Sequence, residues 1–302
     1  MRRWMLSIMA SGLIALGAAR VEADPAPPAA PADAKPESLA LAKDAVARMT
    51  IAVTVNGQGP FPFVIDTGAD RTVISRELAA ALNLPSGPHV IMHESAGVEE
   101  VETVRITRLV IGNRVVEGID APVVAAANLG AAGLLGIDSL HDQHVVLDFR
   151  SKRLLSVSSR SEVYEPGAIV VRGKSRFGQL VLVDAEVRGV PVYVILDSGA
   201  QNTVGNPALQ RLLTHAGAHA YPPTQIISVT GGATPAEFAD IADLQLGTMT
   251  IRNMPLAFAK LHTFERFGLT DKPAMLLGMD VLALCQKVTV DFKRREATFI
   301  LN

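Results

Sequence analysis

Two seven-residue segments constrain this chain more than any other feature. Phe63-Val64-Ile65-Asp66-Thr67-Gly68-Ala69 and Val194-Ile195-Leu196-Asp197-Ser198-Gly199-Ala200 share one pattern: three apolar residues, an aspartate, a small hydroxyl residue, glycine and alanine. Two more landmarks recur in the same order. Leu134-Leu135-Gly136-Ile137-Asp138 matches Leu276-Leu277-Gly278-Met279-Asp280, and Val146-Leu147-Asp148-Phe149 matches Thr289-Val290-Asp291-Phe292. A repeat whose copies begin as far apart as Asp66 and Asp197 is too long for a solenoid unit and predicts two homologous domains packed together. The stretch from the aspartate to the glycine of the second landmark is longer in the second copy, Asp197 to Gly278, than in the first, Asp66 to Gly136. The second copy therefore carries an insertion, which we place at 262–273.

Each half reads mainly as strands, and the fold class is mostly β. Ile51, Val53 and Val55 alternate with Ala52 and Thr54 before an Asn56-Gly57 hairpin turn, and Arg188-Gly189 supplies the matching turn in the second half. Short helices are expected over 77–82 and from Pro207, N-capped by Asn206, to about residue 214. Hairpins with small tips are expected at Ala96-Gly97 and Gly231-Gly232.

An aspartate at the end of an apolar strand is a costly site for an isolated charge. Two such aspartates brought together can share one proton, which makes one a base and the other an acid. Asp66 and Asp197 are therefore the candidate catalytic residues. Gly68 and Gly199, having no side chain, would let each backbone approach the opposite carboxyl, and Thr67 and Ser198 would hydrogen-bond across the axis. Asp138 and Asp280 read as turn or capping residues.

The other chemistries are poorly supplied. Lysine and arginine total 28 against 30 acidic residues, a formal charge of −2, so there is no electrostatic footprint for nucleic acid. The single cysteine, Cys285, excludes a disulfide framework or a multi-cysteine metal site. His141 with His144, and His215 with His219, have metal-compatible spacing but no intervening glutamate of a zincin motif, and read as solvated. We expect no metal and no cofactor.

At the amino terminus, Arg2 and Arg3 precede an apolar run and a Val21-Glu22-Ala23 cleavage pattern, so 1–23 reads as a signal peptide. The Pro/Ala-rich stretch 24–38 reads as a linker. No later apolar segment is long enough to span a bilayer as a helix. The expected product is periplasmic or secreted, without stable membrane insertion, with folded structure starting near Leu39.

These motifs resemble the aspartic proteases, and the retroviral-like (retropepsin-like) branch more than the pepsins. Asp66-Thr67-Gly68-Ala69-Asp70 followed by Thr72-Val73 looks like the retroviral active-site segment, with Ser198, Gly199 and Ala200 its second copy. Leu135-Gly136 and Leu277-Gly278 look like the second motif of that family. The resemblance implies two β-barrel lobes related by a pseudo-twofold axis, at 39–158 and 169–302 with a connector at 159–168. It also implies peptide-bond hydrolysis by an activated water, on a peptide or protein substrate. Ala96, Gly97, Gly231 and Gly232 would then be flap residues, gripping substrate through backbone groups. Two departures stand out: Ile137 and Met279 occupy the place where the family usually has an arginine that pairs with the acid matched by Asp70, and Gln201 replaces that acid in the second half. The bracing ion pair is expected to be absent. The reading is a monomeric aspartic endopeptidase acting as a pseudo-dimer. The alternatives are a homodimer pairing like lobes, and a non-catalytic peptide binder using the same cleft.

Overall fold

Alternating burial along Met49–Val55 sets the pattern of the first half: Ile51, Val53 and Val55 are buried while Ala52 faces solvent. Asn56 and Gly57 both take positive φ (48° and 81°), the two-residue turn whose twist matches an antiparallel hairpin, and the chain returns as Gln58–Ile65. Arg188 and Gly189 do the same in the second half (52° and 74°). The computed structural model describes residues 37–40, 42–43, 48–140, 143–158, 167–213 and 222–301. The expected signal peptide, most of the linker and connector, and His141, His215 and His219 lie outside these.

The first half closes into a six-stranded barrel in the order Met49–Val55, Gln58–Ile65, Gly133–Leu135, Val73–Ser75, Arg114–Val124, Thr103–Ile111, and back to Met49–Val55. The second half repeats that order: Gln179–Leu182, Tyr193–Leu196, Ala274–Leu277, Val204–Gly205, Met249–Ala259 and Ala233–Leu246. It closes on Ala185–Val187, the continuation of the first strand. Closure removes the exposed edges that open sheets carry. In both barrels the strand leading to the aspartate pairs in parallel with the second landmark, Ile65 opposite Leu135 and Leu196 opposite Leu277. The two landmarks are thereby fixed side by side.

The halves are joined by a six-stranded antiparallel sheet, three strands from each: Glu37–Ala40, Arg153–Ser158 and Gln143–Asp148, then Cys285–Asp291, Glu296–Leu301 and Ile169–Arg176. At its centre Val146 pairs with Thr289, its own counterpart in the repeat. A residue can pair with its counterpart only where the symmetry axis passes, so the third landmark marks the pseudo-twofold axis. The strand at Glu37–Ala40 begins inside the stretch expected to be linker. One continuous apolar core runs through both barrels and this sheet, including Phe63, Leu147, Val290 and Phe299.

Helices are short, as expected. Arg76–Ala81 is N-capped by Ser75, whose Oγ accepts from Leu78 N at 3.1 Å, and Pro207–Leu213 begins after Asn206, whose Oδ1 accepts from Leu209 N at 2.8 Å. The insertion adds a helix the sequence pattern does not predict, His262–Arg266.

Candidate active site

Ile65 and Leu196 are fully buried strand ends, and the next residue in each chain half is an aspartate. Asp66 N donates to Leu135 O (3.0 Å) and Asp197 N to Leu277 O (3.1 Å), so the second landmark sets where each aspartate leaves its strand. Four hydrogen bonds then interlock the two loops across the axis. Thr67 N donates to Ser198 Oγ (3.1 Å) and Ser198 N to Thr67 Oγ1 (3.1 Å), while Thr67 Oγ1 donates to Leu196 O (3.0 Å) and Ser198 Oγ to Ile65 O (2.8 Å). Both side chains are buried, and each hydroxyl is satisfied by the opposite half.

The interlock brings the carboxyls together. A Cβ on Gly68 would fall 2.6 Å from Asp197 Cγ, and one on Gly199 would collide with the Asp66 carboxyl in the same way. Asp197 Oδ1 accepts from Gly199 N and Ala200 N, both at 3.0 Å; Asp66 Oδ1 accepts from Gly68 N at 2.7 Å. Burial, and then the neighbouring Asp197 charge, push the Asp66 carboxyl well above the usual value of 3.8. Burial also raises Asp197, against the lowering pull of the Ala200 N–H, the hydrogen bond from Asp66 and the Gly199 N–H. The pair therefore shares one proton, with Asp197 the better supplied with backbone donors.

That direction couples stability to pH. Because the folded state binds the Asp66 proton more tightly than the unfolded chain, this contribution is fully present below 3.8 and is lost as pH rises through the raised value. Wild-type stability should fall in that upper window with a slope of up to about 1.4 kcal/mol per pH unit. Asp66→Asn should flatten the curve, and thermal melts taken across pH check it.

Below the loops, a second set of bonds braces the motif. Thr72 N and Oγ1 donate to Asp138 (3.0 and 2.7 Å), and Thr203 N and Oγ1 donate to Asp280 (2.9 and 2.6 Å). Asp138 and Asp280 thus do more than the turn or capping role their sequence context implies: they tie the second landmark to the active-site loop. Gly136 and Gly278 make room for it, since a Cβ on Gly278 would lie 2.6 Å from Asn202 C, and one on Gly136 would strike the Arg71 backbone.

Ile137 and Met279 leave Asp70 without an arginine beside the second-motif glycine, but Asp70 finds an ion-pair partner elsewhere. Arg266 Nη2 lies 2.6 Å from Asp70 Oδ2, and Gln179 Nε2 donates to Asp70 Oδ1 at 3.0 Å. Arg266 comes from the insertion in the opposite half, so no search beside the second-motif glycine would find it. Its guanidinium also stacks over Phe177, 4.5 Å from the ring centroid.

The hairpin Val90–His93/Val98–Val101 and the turn between Thr224–Ile227 and Ala233–Leu246 arch over the carboxyls. They enclose a cleft of about 840 Å³ whose lining includes Asp66, Asp197, Met92, Glu94, Ser228 and Val229. The flap candidates Ala96, Gly97, Gly231 and Gly232 sit at the tips, but the cleft is lined by the residues before them. The tips instead meet each other: Thr230 Oγ1 donates to Glu94 Oε1 (2.5 Å), Thr230 N to Glu94 Oε2 (3.2 Å), and a Cβ on Gly232 would fall 2.8 Å from Ala96 Cβ.

Comparison with known families agrees with this geometry in both halves. Residues 51–142 match the family described as gag-polyprotein putative aspartyl protease, and residues 183–281 match the one described as aspartyl protease. The chain belongs to the retropepsin-like aspartic proteases. No curated protein matches it. Each family match covers most of one barrel with its aspartate loop, so this aspartic protease carries two retropepsin-like lobes in tandem.

Sequence reasoning missed one symmetric pair beneath the protease loops. Arg48 and Gln179 are counterparts in the repeat, separated by the same offset as the two aspartates (179 − 48 against 197 − 66). Both are buried, and each donates to the motif glycine of the opposite half: Arg48 Nη1 to Gly199 O (3.3 Å) and Gln179 Nε2 to Gly68 O. Arg48 Nη2 also donates to Leu129 O, and its positive charge lowers both carboxyls. The repeat offset was the available signal, but the residue type differs between copies. His144, expected to be solvated, is instead buried 3.5 Å from the Asp291 carboxylate in the central sheet. Among the described residues no group of three or more His, Cys, Asp or Glu is placed to hold a metal ion.

Proposed function

We propose that this protein is an aspartic endopeptidase in which Asp197 is the base and Asp66 the acid of a single interlobe site. Water placed between the carboxyls loses a proton to Asp197 as its oxygen attacks the substrate carbonyl carbon, while Asp66 donates its proton to the carbonyl oxygen. The resulting tetrahedral diol collapses as the amide C–N bond breaks, with a proton passing from Asp197 to the leaving nitrogen and a hydroxyl proton of the diol returning to Asp66. No covalent intermediate is needed. The observation that carries this reading is the two carboxyls brought together by the cross-axis bonds, with Asp197 Oδ1 accepting from two backbone N–H groups and Asp66 Oδ1 from one. Thr67, Ser198, Gly68 and Gly199 hold the pair, and the hairpins over the cleft would grip an extended peptide.

Pairing within one chain favours a monomer over a homodimer of like lobes. The amino-terminal signal pattern favours a periplasmic or secreted protein. A peptide library incubated with the protein across pH, with pepstatin as a control, tests the function. We expect pepstatin-sensitive cleavage by wild type and none by Asp66→Asn. A chain that binds peptides but cleaves none at any pH would be a recognition module instead.

A further inference from the structure

The first hairpin is held down by the insertion of the opposite half. His262 N donates to Ser95 O at 2.9 Å, and His93 Nδ1 lies 3.0 Å from His262 Nε2. The two rings are inclined by only 11° with centroids 5.3 Å apart, a separation that exceeds the N–N distance by about two ring radii. The nitrogens therefore face each other along the line of centres, as in a hydrogen-bonded imidazole pair, and the ring faces do not overlap.

Protonation decides whether that bond exists. Glu265 Oε2 sits 3.4 Å from His262 Nδ1 and favours a proton there; in the neutral ring Nε2 then accepts from His93 Nδ1–H, and once His262 takes its second proton Nε2–H donates to His93 Nδ1. The bond survives with neither ring or only one ring protonated; once His93 takes a proton beside a protonated His262, two donors confront each other. The other charged groups nearby are Arg266, which is engaged with Asp70, and Glu94, which is turned to Thr230. Burial, then the charges of Arg266 and His262, hold His93 below the ordinary 6.5, against the opposing pull of Asp70. The bond thus persists at neutral pH and is lost as pH falls through that lowered value.

We propose that His262 and His93 form a pH-sensitive clamp by which the second-half insertion holds the first-half hairpin closed over the cleft, and releases it in acid. His262 is a positioning residue here, acting through the hairpin. Two imidazoles are too few ligands for a stable metal site, so the clamp is a hydrogen bond. Only the second half carries the insertion, so only one of the two hairpins is gated in this way. Its effect on turnover rests on the endopeptidase reading; the clamp itself does not.

Hydrogen–deuterium exchange over 90–97, corrected for intrinsic rates, tests it without any turnover. Wild type should lose protection by about fivefold or more between about pH 7.5 and about pH 5. His93→Asn offers both an amide acceptor and an amide donor near the Nδ1 position but cannot be protonated, and should stay protected at both. His262→Ala should be poorly protected at both. In peptide kinetics, KM should rise several-fold on acidification in wild type and not in His93→Asn, while the pH limb of kcat set by the carboxyl pair is the same in both. An equal loss of protection in wild type and His93→Asn would overturn the clamp, as would protection that a chelator removes at neutral pH. A chain that cleaves nothing would sink the protease reading and leave the exchange result to decide this one.

Discussion

Asp197→Asn should lower kcat/KM for peptide hydrolysis by at least about 10³-fold with the fold intact. The amide can still accept the Gly199 and Ala200 N–H bonds through its oxygen, so the loop keeps its geometry. It cannot take a proton from water at accessible pH, so the attacking step loses its base. The loss should be complete because the partner carboxyl, Asp66, lies in the same chain and has no second copy of Asp197 to turn to. If like lobes paired between chains, an Asp66–Asp66 site would survive and about half the activity would remain. Steady-state kinetics, with a thermal melt to show that the variant is folded, separates the two.

Gly68→Ala should be nearly as damaging by a different route. The added methyl would lie 2.6 Å from Asp197 Cγ and 2.7 Å from its Oδ1, closer than any real Cβ contact, so one of the two loops must move. Overpacking of this kind costs about 1–3 kcal/mol. The loop cannot yield freely, because Thr67 and Ser198 pin it through four buried hydrogen bonds and Gln179 holds the Gly68 carbonyl. The carboxyls are then the part that shifts, and a displacement of about 1 Å in reacting groups reduces rate by about 10²-fold. We expect a modest fall in Tm with a much larger fall in kcat. A variant with near-normal kcat would mean that the carboxyls are not held against that glycine.

How far the sequence predicts this site depends on which residues the repeat preserves. Asp66, Thr67 and Gly68 recur as Asp197, Ser198 and Gly199 because both loops face the same axis and must satisfy the same buried groups, so their cross-axis bonding follows from the motif. The strands and hairpins follow as well, since apolar alternation and two-residue turns are local signals, whereas their closure into barrels is implied only by the family resemblance. Arg48 and Gln179 share a position and a bond but not a chemistry, so a search by residue type passes over them. Arg266, His262 and Asp70 are less visible still. The first two lie in an insertion with no counterpart, and Arg266 belongs to the opposite half of the chain from its partner Asp70, so only folding brings them together. The hairpin tips follow as turns from their small residues, but their role depends on what the opposite tip presents: Thr230 meeting Glu94 is a contact between halves that no local pattern encodes.

The central claim is that one chain supplies both carboxyls of one site. Specific peptidase activity followed over a roughly hundredfold dilution, with the mass in solution measured at each concentration, tests it most directly. The account predicts a monomer whose activity per chain is constant throughout. Activity per chain that falls on dilution together with dissociation of a dimer would contradict it.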